Sequence, residues 1–232
     1  VQDHRVAPYC PRCGTGLSDH ELAQGYETVT DPSVYVRFPI TSGDLVALNA
    51  SFLVWTTTPW TLVSNTAIAV HPEVDYVAVE VTVDEVSEVL VVAEALLESV
   101  KGEKKILKKM LGKALERTTY KRPFDFVEIA DAHYVVLATY VTTEDGTGLV
   151  HQSPAFGADD LAVCRAYGLP VVNPIAPDGH FLKEVEAVGG IFFKEADKLL
   201  VKELKVRGVL YKHQPYEHTY PHCWRCHTPL MY

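Results

Sequence analysis

Three groups of residues in this chain have the types and spacing to do chemistry. The first is Trp55-Thr56-Thr57-Thr58-Pro59-Trp60-Thr61-Leu62, followed by Asn65. In an extended strand Thr56 and Thr58 face one way and Thr57 the other. Pro59 breaks the ladder and frees nearby backbone groups. Hydroxyls at a strand end, walled by two indoles, suit a small polar substrate. The same pattern also suits cross-strand threonine packing. The second group runs Gly146-Thr147-Gly148-Leu149-Val150-His151 and continues through Pro154, Phe156, Gly157, Asp159 and Asp160. A Gly-rich turn feeds a short strand that ends at His151, and two acids follow at a helix start. Acids there can simply cap the helix. A histidine with two carboxylates on Gly turns also fits a hydrolytic or amine-binding pocket, in which a carboxylate holds an ammonium.

The third group is four of the five cysteines, in two Cys-x-x-Cys pairs, Cys10/Cys13 and Cys223/Cys226. Each pair predicts a tight knuckle that aims two thiolates at one point. Two knuckles supply four soft ligands, the donor set of a structural zinc site. The separation is unusual, because 209 residues lie between Cys13 and Cys223. The simplest reading is that the chain ends meet, and that a zinc clasp holds a long inserted domain. Two disulfides would need an oxidising compartment, which nothing here indicates. Cys164, among Leu161, Val163 and Ala166, reads as a buried small hydrophobe.

These groups must be positioned by an ordinary globular chain. It has 232 residues, 47% hydrophobic and 22% charged, with 21 Lys+Arg against 30 Asp+Glu and a net charge of −9. That composition excludes a disordered chain. No stretch has the roughly 18 uninterrupted apolar residues of a membrane span. Val1, Gln2, Asp3 and His4 do not resemble the start of a signal peptide. The chain does not begin with Met, so a segment of a longer protein is expected. Motifs for a serine or zinc hydrolase (Gly-x-Ser-x-Gly, His-Glu-x-x-His) are absent, so no catalytic metal is implied.

Hydrophobic patterning predicts strands at 34–40, 51–58, 66–70, 75–83, 89–92, 134–140, 148–151, 171–174 and 209–212. The pair 66–70 and 75–83 reads as a hairpin around His71-Pro72-Glu73. Helices are predicted at 93–100, 104–111, 158–167 and 194–207. The fold expected is mixed α/β: a closed or partly closed β-barrel-like core decorated by helices, with a zinc clasp from the two ends. Its expected parts are residues 1–30 and 213–232 for the clasp and 31–212 for the core. Lys101 to Lys113 holds six lysines with an apolar stripe at helical spacing. It reads first as a solvated helix face, and second as a phosphate-backbone contact.

At these motifs the chain resembles the editing domain, connective polypeptide 1, of bacterial-type isoleucyl-tRNA synthetases, over essentially its whole length. Trp55 to Leu62 with Asn65 resembles the family's threonine-rich motif. Gly146-Thr147-Gly148 through His151, Phe156, Gly157 and Asp160 resembles its second motif. The Cys10/Cys13 and Cys223/Cys226 flanks resemble its zinc-bearing ends. Valyl and leucyl relatives typically carry Pro-Ala-His-Asp where this chain has His151 and then Phe156-Gly157. Three departures stand out. Val63-Ser64 replaces a frequent Pro, Ser153 replaces a frequent Ala, and the aminoacylation signatures are absent.

The resemblance implies a cytoplasmic hydrolase that clears valine from the 3′ end of tRNA(Ile), working with the rest of a parent synthetase. Thr56, Thr57, Thr58, Asn65, His151 and Asp160 are implied in catalysis, with Asp160 on the substrate ammonium. Trp60, Thr61, Gly146, Thr147, Gly148, Phe156, Gly157 and Asp159 are implied in substrate binding. Two rival readings remain: a non-catalytic tRNA-binding module organised by zinc, and an editing domain of the valyl or leucyl kind.

Overall fold

The computed structural model describes residues 5–232; the stretch Val1–His4, read above for a leader, lies outside the described residues. A short hairpin of β1 (Tyr9–Cys10) and β2 (Thr15–Gly16) is followed by helix α1 (Asp19–Ala23). The chain then builds β3 (Tyr26–Pro39), β4 (Ala50–Thr56), β5 (Ala67–Val70), β6 (Asp75–Val83), β7 (Val86–Ala93) and β8 (Glu103–Leu111). After these come β9 (Tyr134–Leu137), β10 (Leu149–Gln152), α2 (Ala158–Ala166), α3 (Phe193–Val206) and β11 (Leu210–Pro221). Six strands form one sheet in the order β11-β3-β4-β7-β6-β8, and three form another in the order β10-β5-β9. The mixed α/β class is as expected. Both sheets keep free edges, so the barrel-like core is two open sheets and not a closed barrel.

The alternation in β3 explains how the large sheet is buried. Val34, Val36 and Phe38 point into the main core, while Tyr35 joins Leu53, Val77, Val79, Leu90 and Val92 on the other face. A sheet covered on both faces needs apolar residues at consecutive positions. Helix α3 supplies part of the cover through Phe193, Ala196, Leu200 and Leu204, spaced for one helical face.

Four expectations differ from the structure. Strands β5 and β6 are not a hairpin: β5 sits between β10 and β9, and β6 sits between β7 and β8. All four β5 residues are buried, which marks a central strand. The corner at His71 is held by Tyr76, whose hydroxyl accepts the His71 N–H and donates to the Gly148 carbonyl. The tight hairpin joins β6 to β7 instead, through Asp84 and Glu85, both at positive φ.

Residues 93–100 form no α-helix; β7 runs on to Ala93 and a 3-10 turn follows at Glu94–Ser99. The lysine-rich segment is strand β8 at the sheet edge, not a helix. Lysines on an edge strand discourage further strand pairing. Lys104 pairs with Glu98, Lys108 with Asp44, Lys109 with Asp75 and Glu94, and Lys113 with Glu73. The patch is thus largely neutralised by its own neighbours. Residues 171–174 form no strand; they follow Pro170 and end at Pro174, and the Asn173 side chain accepts the Ile175 N–H. Among the described residues, no helix is long and apolar enough to cross a membrane.

The ends of the chain meet. Tyr9 and Met231 exchange backbone hydrogen bonds of 2.8 and 3.0 Å. From there β3 and β11 run antiparallel as a long ribbon, from Tyr26 opposite Pro221 to Val36 opposite Leu210. The ribbon joins the cysteine-bearing end to the body of the molecule.

Candidate active site and cysteine cluster

Strand β4 ends at Thr56, β10 at Gln152, and the two ends lie side by side at the start of α2. A cavity of about 180 Å³ opens there, lined by Trp55, Thr56, Thr58, Thr61, Val150, His151, Ser153, Phe156, Gly157 and Asp160. The fold therefore brings the threonine-rich motif and the second motif to one place. The turn after β4 is a 3-10 helix, Pro59–Ser64, which curls Thr61 back towards Thr58.

The hydroxyls form one connected chain. Thr56 Oγ1 lies 3.1 Å from Thr58 Oγ1, Thr58 Oγ1 lies 3.1 Å from Thr61 Oγ1, and Thr61 Oγ1 lies 2.7 Å from His151 Nε2. On its far side, His151 Nδ1 faces the Asn65 amide nitrogen at 3.4 Å. That amide also donates to the Ala67 carbonyl, and its oxygen accepts the Tyr120 hydroxyl at 2.7 Å. The directions follow from the fixed donors. An amide NH₂ only donates, so His151 Nδ1 accepts and Nε2 carries the hydrogen. Thr61 accepts from Nε2 and donates to the Thr58 carbonyl at 2.8 Å. Burial pushes the His151 ring down to about 4, so it is neutral near pH 7.

Asp160 stands in the first turn of α2, whose N-cap is Gly157. Burial raises its carboxyl to about 6; the Ser153 N–H, donated to Oδ2 at 2.7 Å, opposes the rise. A desolvated carboxylate facing a cavity suits an ammonium ligand. Asp159 is exposed, and its charge adds to the rise.

Other expected site residues stand behind the cavity. Trp60 is buried and packs edge-on against Phe156 (4.8 Å between centroids) and Phe193 (4.7 Å). Asn65 is buried behind His151. Thr57 is half-buried and does not line the cavity. Thr147 is buried, and its hydroxyl has no partner among the described residues. Gly146 and Gly148 lie at φ +75° and +76°; a Cβ would come within 2.8 Å of the Trp55 ring at the first and 2.4 Å of Ala93 at the second. These glycines let the turn press against the cavity wall and β7. Trp55 lines the cavity as one of the two expected indole walls, whereas Val150 and Ser153 line it without being expected as site residues. Ser153 stands inside the second motif, and its N–H contact with Asp160 is what places it at the site.

The four paired cysteines converge at the other end of the ribbon. Their sulfurs all lie within 4.8 Å of one another. Close pairs are Cys10 to Cys226 at 3.5 Å, Cys13 to Cys226 at 3.6 Å and Cys13 to Cys223 at 4.0 Å. A tetrahedron with metal–sulfur bonds of about 2.3 Å has sulfurs about 3.8 Å apart, so the donor set fits a bound metal ion. The two knuckles share one geometry. Gly14 donates its N–H to the Cys10 carbonyl and His227 to the Cys223 carbonyl, both residues at positive φ. Cys164 is buried in a separate apolar cluster with Val136 and Leu169.

No protein-family model matches the chain. Curated relatives do. The isoleucine–tRNA ligase of Streptomyces coelicolor is 66% identical over 235 residues, covering 100% of this chain and 22% of the relative. That of Thermus thermophilus is 50% identical over 233 residues, again covering 100% of this chain and 22% of the relative. The chain thus spans about a fifth of the length of these relatives. Among solved structures, GlLeuRS-CP1 aligns with a TM-score of 0.59 at 18% identity, covering 78% of this chain and 98% of that one. The Plasmodium falciparum cytosolic leucyl-tRNA synthetase editing domain aligns with a TM-score of 0.57 at 10% identity, covering 79% of this chain and 99% of its own. At these identities the likeness speaks for the fold. With this fold, and with 66% and 50% identity to these ligases along the whole of its own length, the chain belongs to the isoleucine–tRNA ligase family, as a segment of it.

Proposed function

We propose that this chain is the editing hydrolase of an isoleucyl-tRNA synthetase, which removes valine from mischarged tRNA(Ile) and excludes isoleucine by size. One observation carries the reading: the Asp160 carboxyl and the hydroxyls of Thr56, Thr58 and Thr61 share one small cavity with His151. The need is physical. A synthetic site for isoleucine rejects valine weakly, because a missing methylene is worth only about 1–3 kcal/mol. A second, smaller cavity can admit valine and refuse the larger side chain.

In this reading the Asp160 carboxylate holds the α-ammonium of the aminoacyl ester. Trp55, Phe156 and His151 bound the side chain, and the threonine hydroxyls orient the ester and a water. The water oxygen attacks the ester carbonyl, the carbon–oxygen bond to the ribose breaks, and the ribose oxygen takes the proton. Valine and free tRNA leave. His151 has no vacant basic nitrogen, so it positions rather than abstracts. A vicinal ribose hydroxyl of the terminal adenosine can assist the water, and positioning supplies the acceleration. Val-adenylate is a second substrate of the same chemistry.

The cysteine cluster is read as a structural zinc site, with Cys10, Cys13, Cys223 and Cys226 as ligands. Zinc would clamp the chain ends and supply no catalytic chemistry. The remainder of a synthetase would deliver the tRNA end, in the cytoplasm, where thiols stay reduced. The test is deacylation of valyl-tRNA(Ile) against isoleucyl-tRNA(Ile) by this chain. Hydrolysis of the valyl ester alone supports the reading. Binding of tRNA with no turnover, by zinc-loaded folded chain, favours a module that only binds. Preference for threonyl or norvalyl esters would move the chain to a valyl- or leucyl-type specificity.

A further inference from the structure

We propose that Asp197 is a positioning residue for the cavity: it caps the threonine-rich turn from helix α3 and so frees the Thr58 hydroxyl to face the cavity. The 3-10 turn Pro59–Ser64 needs acceptors for its first N–H groups. Pro59 has no N–H, so Trp60 is the first donor. Thr58 stands at the N-cap, where its side chain would ordinarily serve, yet it makes no capping hydrogen bond. Its hydroxyl is turned to Thr56 and Thr61 instead. The missing acceptor comes from 137 residues further along the chain: Asp197 Oδ1 takes the Trp60 N–H at 2.9 Å.

Asp197 is only 2% exposed, and its Oδ2 has no partner among the described residues. A lone carboxyl in the core is costly. Burial pushes it up to about 8, so it is mainly protonated at neutral pH while Oδ1 still accepts. One helical turn earlier, Phe193 packs on the Trp60 ring at 4.7 Å. Residues 193 and 197 share one helix face. That face therefore fixes Trp60 by ring and by backbone, and Thr61 follows directly in the chain.

The substitutions Asp197→Asn and Asp197→Leu separate the acceptor from mere packing. Trp60 amide exchange, followed by NMR in the 232-residue chain, reads the cap without reference to turnover. Asn keeps an acceptor, so exchange should stay near wild type. Leu removes it, so exchange at Trp60 should speed up about ten-fold or more while the melting temperature holds. This inference rests on the editing reading for its consequence in turnover. On valyl-tRNA(Ile), Leu should lower kcat about ten-fold with KM nearly constant, and Asn should rescue it. Thr58→Val should lower kcat in the wild-type background and add little in the Leu background, because the turn without its Asp197 acceptor no longer holds the Thr58 hydroxyl at the cavity. Unchanged Trp60 exchange in a folded Leu variant overturns the proposal, and so does an Asn variant as impaired as Leu. A wild-type chain inert on every ester, but with the exchange pattern expected here, would sink the editing reading and leave the cap standing.

Discussion

His151 donates from Nε2 to the Thr61 hydroxyl at 2.7 Å, and the Asn65 amide behind it fixes which nitrogen carries the hydrogen. The ring is buried and neutral, with both nitrogens engaged. Such a histidine is a wall and a strut. His151→Gln should keep a donor to Thr61 and most of the valyl deacylation. His151→Ala should enlarge the cavity and let the isoleucyl ester in, so the valyl-to-isoleucyl ratio should fall towards one from the roughly 10–200-fold that one methylene supports. Parallel deacylation of both esters checks this. A Gln variant dead on valyl-tRNA, with its fold intact, would point to proton transfer by the ring instead.

In the proposed reaction Asp160 sets the pH behaviour. Its folded value of about 6 lies above the ordinary carboxyl value, chiefly through burial. Only the carboxylate binds an ammonium, so kcat/KM for the valyl ester should fall as pH drops through about 6. The stability effect has the opposite sense. A raised carboxyl stabilises the fold below its unfolded value, and that contribution is lost as pH rises towards the folded value. Asp160→Asn should therefore abolish deacylation and yet raise the melting temperature at pH 8 but not at pH 4. Calorimetry at the two pH values decides it; equal shifts at both would mean that the carboxyl is not strained by burial.

The sequence exposes what is local. Alternating Val34, Val36 and Phe38 announce a strand, and α3 is visible from its spacing. The Cys-x-x-Cys pairs announce a shared site, and both halves of the cavity are legible as motifs. What is hidden depends on partners far along the chain. Ile106, Leu107, Met110 and Leu111 have helical spacing, but pairing with β6 and acids from other segments make them an edge strand. Ala67–Val70 looks like a hairpin arm until burial on both faces places it centrally. Asp197 left one trace, an acid on the apolar face of an amphipathic helix, whose meaning needs Trp60.

Ser64 and Ser153 touch each other at 2.7 Å in the buried wall between the motifs. Ser64 also donates to the Thr61 carbonyl at 3.3 Å, and Ser153 holds Asp160 through its N–H. The hydroxyl pair thus ties the threonine turn to the Asp160 loop. Removing one hydroxyl leaves the other short of a partner, whereas removing both does not. Each single alanine variant should lose about 1 kcal/mol, and the double should lose less than the sum. Denaturant titration of the four chains measures the coupling. Strict additivity would mean that the pair contributes nothing jointly.

The cysteine cluster makes the last prediction, because it lies at one end of the β3–β11 ribbon and the cavity lies against β4, β10 and α2. Four thiolates that surround no ion repel one another and are released as thiols, so metal binding contributes to folding of this end. Metal analysis should find about one zinc per chain. Chelation, or Cys223→Ser, should lower the melting temperature by several degrees. The cavity draws no wall residue from the clasp. Well below the melting temperature, valyl deacylation by the metal-free chain should therefore persist within about two-fold. Loss of turnover in a chelated chain that is still folded would show that the ribbon carries strain from the clasp into the cavity.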